Sequence, residues 1–303
     1  MRKSLELQAN MLNEFGACVF DVTLDCEDGA PAGGEADHAA MVVELATDAS
    51  RRSSGKARVA VRVHAVDHPS FEADMATVAG LAGHQLCHIM VPKVESARDV
   101  DRAEQALLRA SAGHLPLHVL IESPGAVHQA FDIAAQARVQ SISFGLMDFV
   151  SSHGGAIPAN GMSGRGQFTH PLVVRAKLEI ASACHAHGKI PSHCVVTEFR
   201  DLDALAAAAR QAAQQLGYTR MWSIHPSQIR PILAAFSPTE GEIEDATKII
   251  AAAEAAQWAP IGFDGTLHDR ASYRYFWQVL VRAHQTGCVL PAESQRYFSD
   301  ALH

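Results

Sequence analysis

The 303 residues of the chain are 48% hydrophobic and 19% charged, which suffices for one large α/β barrel or two modest domains. A formal net charge of −8, with no basic cluster beyond residues 51–58, argues against nucleic-acid binding. Six cysteines without a CxxC pair, and no apolar run long enough for a signal peptide or a membrane span, predict a cytoplasmic protein with reduced thiols.

Short apolar runs alternate with alanine-rich amphipathic stretches over the first ~225 residues, as in a parallel sheet covered on all sides. The predicted strands are Cys18–Leu24, Val59–Val63, Leu86–Val91, Leu117–Ile121, Ser141–Phe144, Pro191–Val196 and Arg220–Ile224. The predicted helices include Met1–Phe15, Ala97–Ser111, Ala126–Ala137, Pro171–His187 and Asp201–Leu216. We expect an α/β fold, a (β/α)8 TIM barrel, in which the first barrel strand is not evident because no strand precedes the first helix.

The character of the sequence changes after His225-Pro226, where prolines interrupt the chain. One clear helix is predicted at Thr239–Gln257 and a further helix at Ser272–His284. We therefore expect a TIM-barrel catalytic domain over residues 1–230 and a C-terminal helical or lid region over residues 231–303. The second region is too small for a large core of its own, so we expect it to pack on the barrel or on a neighbouring subunit.

Two carboxylates follow neighbouring predicted strands. Glu122 ends the run Leu117–Ile121, and Asp148 lies just beyond Ser141–Phe144. Side chains at the carboxyl ends of adjacent barrel strands meet where barrel active sites are built. Oxygen ligands of this kind suit Mg²⁺, with Mn²⁺ as an alternative, and leave other positions for water and substrate. Either residue alone could equally be a surface loop carboxylate.

An acidic turn and a strand arginine form a second pattern. Asp25, Glu27 and Asp28 lie within four residues directly after a predicted strand, and they repel one another unless cations or donors compensate. Arg62 ends an apolar strand, where its charge is costly unless it is paired. The guanidinium fork could bind a substrate carboxylate, or it could form a purely structural ion pair with Glu27 or Asp28.

Two further segments allow two interpretations each. Lys93, in the sequence Val91-Pro92-Lys93-Val94-Glu95-Ser96, could add positive charge at the barrel rim or be an ordinary loop lysine. The segment Ile224-His225-Pro226-Ser227-Gln228-Ile229 could line the pocket or form a turn that caps a helix.

The order of these motifs, LDxED, VRV, PKVES, IES, FGxxDF and IHPSQI, resembles the citrate lyase β-subunit and malyl-CoA lyase family, within the wider HpcH/HpaI-type aldolases. The resemblance covers about residues 17–284. It implies a Mg²⁺-dependent (β/α)8 barrel that makes or breaks a C–C bond between a 2-oxoacid and an acyl-CoA. It also implies that Glu122 and Asp148 bind the metal and that Arg62 holds the oxoacid carboxylate, beside the acidic motif that contains Glu27.

A segment near the carboxyl end extends the resemblance. Residues Phe263 to Asp269 are similar to the lid of malyl-CoA and citramalyl-CoA lyases, in which the final aspartate acts as general acid/base in the site of an adjacent subunit. That position is Asp269 here, although it could instead simply end a turn. The resemblance therefore implies a homo-oligomer, a trimer or hexamer. His64 stands where the family usually has asparagine, and the lysine that usually precedes the IHP sequence is absent.

The functional hypothesis is a Mg²⁺-dependent carbon–carbon lyase that cleaves or forms a 3-hydroxyacyl-CoA. In this scheme the catalytic residues are Arg62, Asp269 and Glu27, the substrate-binding residues are Arg62 and Glu122, and the metal ligands are Glu122 and Asp148. One alternative is a metal-dependent aldolase that acts on free hydroxy-oxoacids without CoA. Another is a non-catalytic relative that only binds an oxoacid.

Overall fold

Seven parallel strands form one curled sheet in the computed structural model, which describes residues 1–29 and 33–299. Each strand pairs with the next in chain order. The strands are β1 (Val22–Asp25), β2 (Val59–Arg62), β3 (Leu86–Val91), β4 (Leu117–Ile121), β5 (Val139–Phe144), β6 (Ile190–His193) and β7 (Arg220–Met221). The parallel α/β sheet predicted from the sequence is confirmed, with seven strands in the described part of the chain rather than the eight of a complete barrel.

Helices connect successive strands and cover the sheet. They are α1 (Arg2–Phe15), α2 (Glu35–Arg52), α3 (Phe71–Asp74), α4 (Gly80–Ala82), α5 (Ala97–Arg109), α6 (Pro124–His128), α7 (Ala130–Ala134), α8 (Leu146–Ser151), α9 (Pro171–Ala186), α10 (Leu202–Gln215) and α11 (Ile229–Phe236). A π-helical turn, Met75–Ala79, lies between α3 and α4. The main apolar core lies between these helices and the sheet, where residues such as Val61, Ile89 and Ile142 are inaccessible to solvent.

The two edge strands of the sheet approach each other through charged side chains. Arg220 at the start of β7 donates to Asp21, just before β1, at 2.9 Å, and Arg58 donates to the same carboxylate at 2.6 Å. The side chain of Gln8 in α1 donates to the carbonyls of Phe20 and Arg58. These contacts curl the sheet towards closure, although β1 and β7 share no strand pairing in the described residues.

The inner face of the curled sheet carries polar side chains together with small and apolar ones. The register pairs Ala60 with His88, and Met90 with both Arg62 and His118. His88 and His118 are buried, and their rings stack with centroids 3.5 Å apart. Alternation along the strands places Arg62 on this same face, at the carboxyl end of β2.

The C-terminal segment has a small core of its own. It contains α12 (Glu240–Ala255), α13 (Arg270–Gln285), α14 (Ala292–Ser299) and an antiparallel hairpin of β8 (Ile261–Phe263) and β9 (Thr266–His268). Buried side chains of α12 and α13 pack together, among them Ile250, Tyr273 and Leu280. Helix α11, by contrast, packs its Phe236 against α10 and Tyr218. None of the helices in the described part of the chain combines the length and the apolar character needed to cross a membrane.

Candidate active site at the carboxyl ends of the strands

Arg62 is the centre of an ion-pair cluster at the carboxyl ends of β1 and β2. Its Nε lies 2.8 Å from Oδ1 of Asp25, which is its register partner in β1. Its two terminal nitrogens lie 2.8 Å from Glu27 and 2.7 Å from Asp28. Burial disfavours the charge, but hydrogen bonding and attraction from Asp25, with help from Glu27 and Asp28, raise the pKa of Arg62 above its usual range. The ion pair with Glu27 and Asp28, one of the two interpretations of Arg62 left open by the sequence, is thus observed.

Lys93 joins the same cluster from the loop after β3. Its Nζ donates to Oε1 of Glu27 at 2.7 Å, and the side chain of Glu27 is only 9% exposed. That hydrogen bond raises the pKa of Lys93, and the charges of Glu122 and Asp148 add to the effect. Of the two interpretations of Lys93, the structure therefore supports the rim cation. Its backbone φ of 52° lies in the left-handed region, which favours glycine.

Glu122 follows β4 and is almost fully buried at 5% exposure. It packs against Gly145, where an added Cβ would come within 2.5 Å of its Cγ, so a larger residue at position 145 would displace Glu122. Burial, followed by repulsion from Asp148 and Glu27, raises the pKa of Glu122 to about 8. Asp148 lies exposed in the first turn of α8. The fold thus brings together the two carboxylates that the sequence suggested.

The charges of this cluster suit a bound cation. Five carboxylates, Asp25, Glu27, Asp28, Glu122 and Asp148, face two cationic side chains, Arg62 and Lys93. Arg62 and Lys93 compensate Glu27 directly, whereas Glu122 is buried beside further negative charge. Oxygen donors with surplus negative charge match the ligand preference of Mg²⁺ or Mn²⁺. The residues present therefore fit a hard divalent ion held by Glu122 and Asp148.

Trp222 is a member of the site that the sequence reasoning missed. It follows β7, and the guanidinium carbon of Arg62 lies 5.5 Å from the centroid of its ring. A tryptophan after an apolar strand is indistinguishable in sequence from a core residue, so no signal was available. Its ring forms one wall beside Arg62 and brings the last strand of the sheet to the cluster at β1 and β2.

Two motif residues have structural roles outside the ion cluster. The ring of His64 lies 2.6 Å from Asp74 of α3, and its backbone N–H donates to the same carboxylate, so the histidine fixes α3 to the end of β2. Gln228 is fully buried, donates to the carbonyl of Val196 and accepts from the backbone of Ile224. The segment 224–229 is therefore a turn with helix capping, one of the two interpretations left open.

Asp269 lies in the C-terminal segment and caps α13. Its Oδ1 accepts from the backbone N–H groups of Ala271 at 2.9 Å and Ser272 at 3.3 Å. The contacts recorded for its side chain are with its own helix, and none joins it to Arg62 or Glu122 in the described part of this chain. One copy of the chain does not bring Asp269 to the candidate site.

The chain is similar to several known proteins. A sequence model of the family described as HpcH/HpaI aldolase/citrate lyase matches residues 5–226. An L-malyl-CoA/beta-methylmalyl-CoA lyase from Cereibacter sphaeroides is 31% identical over 90% of each chain. A citrate lyase structure from Burkholderia xenovorans is 45% identical with a TM-score of 0.80, and the match covers 95% of this chain and 90% of that one.

One solved relative carries ligands of the expected kind. The structure of CitE from Mycobacterium tuberculosis in complex with magnesium and pyruvate is 25% identical with a TM-score of 0.55, and the match covers 72% of this chain and 82% of that one. The family model and the named relatives are all of the aldolase or lyase type. The chain therefore belongs to the HpcH/HpaI aldolase/citrate lyase family and is an aldolase-type carbon–carbon lyase.

Proposed function

We propose that the protein is a Mg²⁺-dependent carbon–carbon lyase that cleaves or forms a 3-hydroxyacyl-CoA from a 2-oxoacid and an acyl-CoA. The observation that carries this proposal is the convergence of Glu122, Asp148 and the paired Arg62 at one end of the sheet. The same end of a parallel barrel hosts the active site in other enzymes of this architecture. We infer that the seven-stranded sheet is a (β/α)8-type barrel with one strand position unfilled.

Glu122 and Asp148 would hold the divalent ion, Mg²⁺ or in its place Mn²⁺. When bound, the ion would act as a Lewis acid on the keto oxygen of the oxoacid. The binding of magnesium and pyruvate by the mycobacterial relative supports this assignment. The raised pKa of Glu122 supports it too, because a buried acid beside two other carboxylates is stabilised by a cation.

Arg62 would bind the carboxylate of the oxoacid. Its guanidinium already contacts Asp25, Glu27 and Asp28, and Asp28 is the most exposed of these partners at 74%. We infer that the incoming carboxylate replaces Asp28 and that Asp25 and Glu27 keep the guanidinium in place. Glu27 would thus act through Arg62 and Lys93, which it contacts directly.

Asp269 would supply the proton-transfer group from a neighbouring copy in a homo-oligomer. It would give a proton to, or take one from, the α-carbon of the acyl-CoA. The lyase from Cereibacter sphaeroides, named for malyl-CoA and beta-methylmalyl-CoA, supports a CoA thioester as the substrate class.

A turnover assay tests this proposal. Malyl-CoA, beta-methylmalyl-CoA and the corresponding free acids are incubated with the protein in Mg²⁺ or in EDTA, and released oxoacid is measured. We expect cleavage of a thioester, loss of it in EDTA, and a fall of ~100-fold or more in Asp148→Ala. Asp101→Ala, an exposed carboxylate on α5, is the matched control.

Three outcomes would contradict the proposal in different ways. Full activity of Asp148→Ala would show that the metal scheme is wrong. Equal cleavage of free acids and thioesters would identify an aldolase that does not use CoA. Binding of an oxoacid without turnover of any thioester would identify a non-catalytic relative.

A further inference from the structure

The outer surface of α9 carries apolar side chains on either side of two opposite charges. Exposed positions recur every three or four residues along the helix, at Leu172, Arg175, Leu178 and Ser182. The two leucines are 40% and 45% exposed. Nε of Arg175 lies 3.1 Å from Oε2 of Glu179, one turn further along the same face. This face of α9 therefore presents leucines together with one charge of each sign.

An open groove of about 700 Å³ lies beside this face of α9. Its lining includes Phe131 of α7, Phe168 just before α9, and Val174, Leu178 and Ser182 of α9 itself. Phe131 is 44% exposed, so an aromatic ring adds to the accessible apolar surface. Exposed leucine and phenylalanine side chains around one concave surface are typical of a contact with another protein.

The spacing of the charges fits a second copy of the same helix. A two-fold axis beside position 177 would pair α9 with itself in antiparallel orientation, and each residue would face the one equally far beyond that position. Arg175 would then face the partner's Glu179, and Glu179 would face the partner's Arg175. Leu172 would face the partner's Ser182, which lines the groove. Leu178 would lie close to the axis itself.

We propose that α9 and the groove beside it form a two-fold contact between two copies of the chain. The sequence of α9 is complementary to itself in charge and in shape only in this antiparallel pairing. The ion pair within α9 is exposed and therefore weak, so sharing its charges across the axis costs little. The contact uses other elements than the C-terminal segment, so it adds to the proposed lid contact and does not replace it.

Gel filtration with light scattering tests whether the contact exists. Leu178→Arg places a charge beside its own copy at the axis, so we expect half the parental mass. A two-fold contact joins copies in pairs, so its loss halves the mass whether or not other contacts remain. Leu108→Arg, at a 51% exposed position of α5, is the matched control and should keep the parental mass. A monomeric parent protein, or parental mass in a folded Leu178→Arg variant, would overturn the proposal.

Charge reversal tests the pairing of Arg175 with Glu179 across the axis. Arg175→Glu alone and Glu179→Arg alone each place like charges opposite one another, so we expect dissociation to be at least ~tenfold more favourable. An equal mixture of the two variants brings two glutamates against two arginines, so mixed pairs should form at least as tightly as parental ones. The double variant Arg175→Glu/Glu179→Arg should also pair like the parent protein.

Recovery in the mixture separates a contact between copies from an effect within one copy, because every copy there still carries its single change. If the C-terminal segment of a neighbouring copy covered the groove instead, Leu178→Arg would still lower the mass. The mixture and the double variant would then fail to recover, which would overturn the two-fold contact. Single variants that pair as tightly as the parent protein would overturn it too. None of these measurements depends on whether the protein cleaves a thioester.

Discussion

Arg62 shows how single residues limit what the site can bind. All of its guanidinium nitrogens lie within hydrogen-bonding distance of a carboxylate, and Trp222 lies 5.5 Å from the guanidinium carbon. A substrate carboxylate must therefore compete with a side chain of the protein itself. The planar fork allows such an exchange without loss of the remaining pairs, because its donors point in fixed and separate directions.

Arg62→Lys is expected to lose oxoacid binding although the charge is kept. One ammonium group cannot contact Asp25 and Glu27 and also hold a substrate carboxylate in the place of Asp28. We expect a loss of ~100-fold in oxoacid affinity, measured by calorimetry in Mg²⁺. Arg58→Lys, at the opposite end of β2, is the matched control. Oxoacid affinity close to that of the parent would remove Arg62 from the site.

Glu122 and Asp148 follow β4 and β5, and the position of Glu122 is also fixed by packing. Gly145 leaves the space that Glu122 fills, since an added Cβ would lie 2.5 Å from its Cγ and 2.8 Å from its Oε1. Gly145→Ala should therefore displace Glu122 without removing any proposed ligand. We expect Mg²⁺ affinity to fall by ~10-fold or more while the helix content in circular dichroism stays unchanged. Gly241→Ala, which meets open space in α12, should have no such effect; unaltered Mg²⁺ binding in Gly145→Ala would contradict the packing argument.

The stacked histidines of β3 and β4 predict a pH dependence of stability. Burial lowers the pKa of His118 to about 3, and burial together with His118 lowers the pKa of His88 well below its usual value. Below pH ~6.5 both histidines take up a proton in the unfolded chain but stay neutral in the folded chain. The free energy of unfolding should therefore decrease as the pH is lowered from ~6.5 to about 3.

Urea unfolding at pH 7, 6 and 5 measures this effect. We expect His118→Gln to reduce the loss between pH 6 and pH 5 by about 1.4 kcal/mol, the value of one proton per pH unit. His128→Gln, at an exposed position of α6, should follow the parent protein. A loss of stability between pH 6 and pH 5 that is as large in His118→Gln as in the parent protein would show that His118 takes up its proton in the folded state.

The elements also show what could be predicted from the sequence. Strands β3 and β4 match their predicted bounds because both are uninterrupted buried runs. The predicted strands at 191–196 and 220–224 end early, at His193 and Met221, because the side chain of Gln228 binds the backbone of Val196 and Ile224 in place of a neighbouring strand. Such side-chain competition for backbone groups leaves no periodic signal.

The sequence predicted part of the candidate site because its residues lie at the ends of apolar strands. Strand ends are visible as the limits of apolar runs, so Arg62, Glu122 and Asp148 could be placed at one edge. Which carboxylates surround Arg62 depends on the register of β1 against β2 and on the turn that follows. Trp222 joins from the far edge strand, and this contact exists only because the sheet curls.

At the scale of the whole molecule, the C-terminal segment has its own core and exposed apolar side chains. Leu267 in the hairpin is 74% exposed and Tyr275 in α13 is 57% exposed. On α7 and α9, which cover the sheet, Phe131, Leu172 and Leu178 are also exposed. Exposed apolar surface of this kind is typical of contacts between subunits. These features support the proposed homo-oligomer, in which a lid from one copy would cover the site of another.

Mixing two inactive variants tests whether Asp269 acts across subunits. Asp148→Ala removes the metal site of its own copy, and Asp269→Ala removes the lid acid. If the lid acts on a neighbour, copies with an intact metal site can receive an intact lid in mixed oligomers. We expect an equal mixture to recover about a quarter of parental activity after exchange of subunits, as random pairing gives. A mixture as inactive as its components, with exchange verified, would place Asp269 in its own copy or outside the reaction.

Calorimetric titration of pyruvate, glyoxylate and oxaloacetate tests the central claim most directly. It is performed in Mg²⁺, in EDTA, and with Glu122→Ala in place of the parent protein. The account predicts binding of at least one oxoacid in Mg²⁺, with loss of that binding in EDTA and in the variant. Binding of equal strength in EDTA, or no binding of any oxoacid with Mg²⁺ present, would contradict a metal-dependent oxoacid site at the ends of β4 and β5.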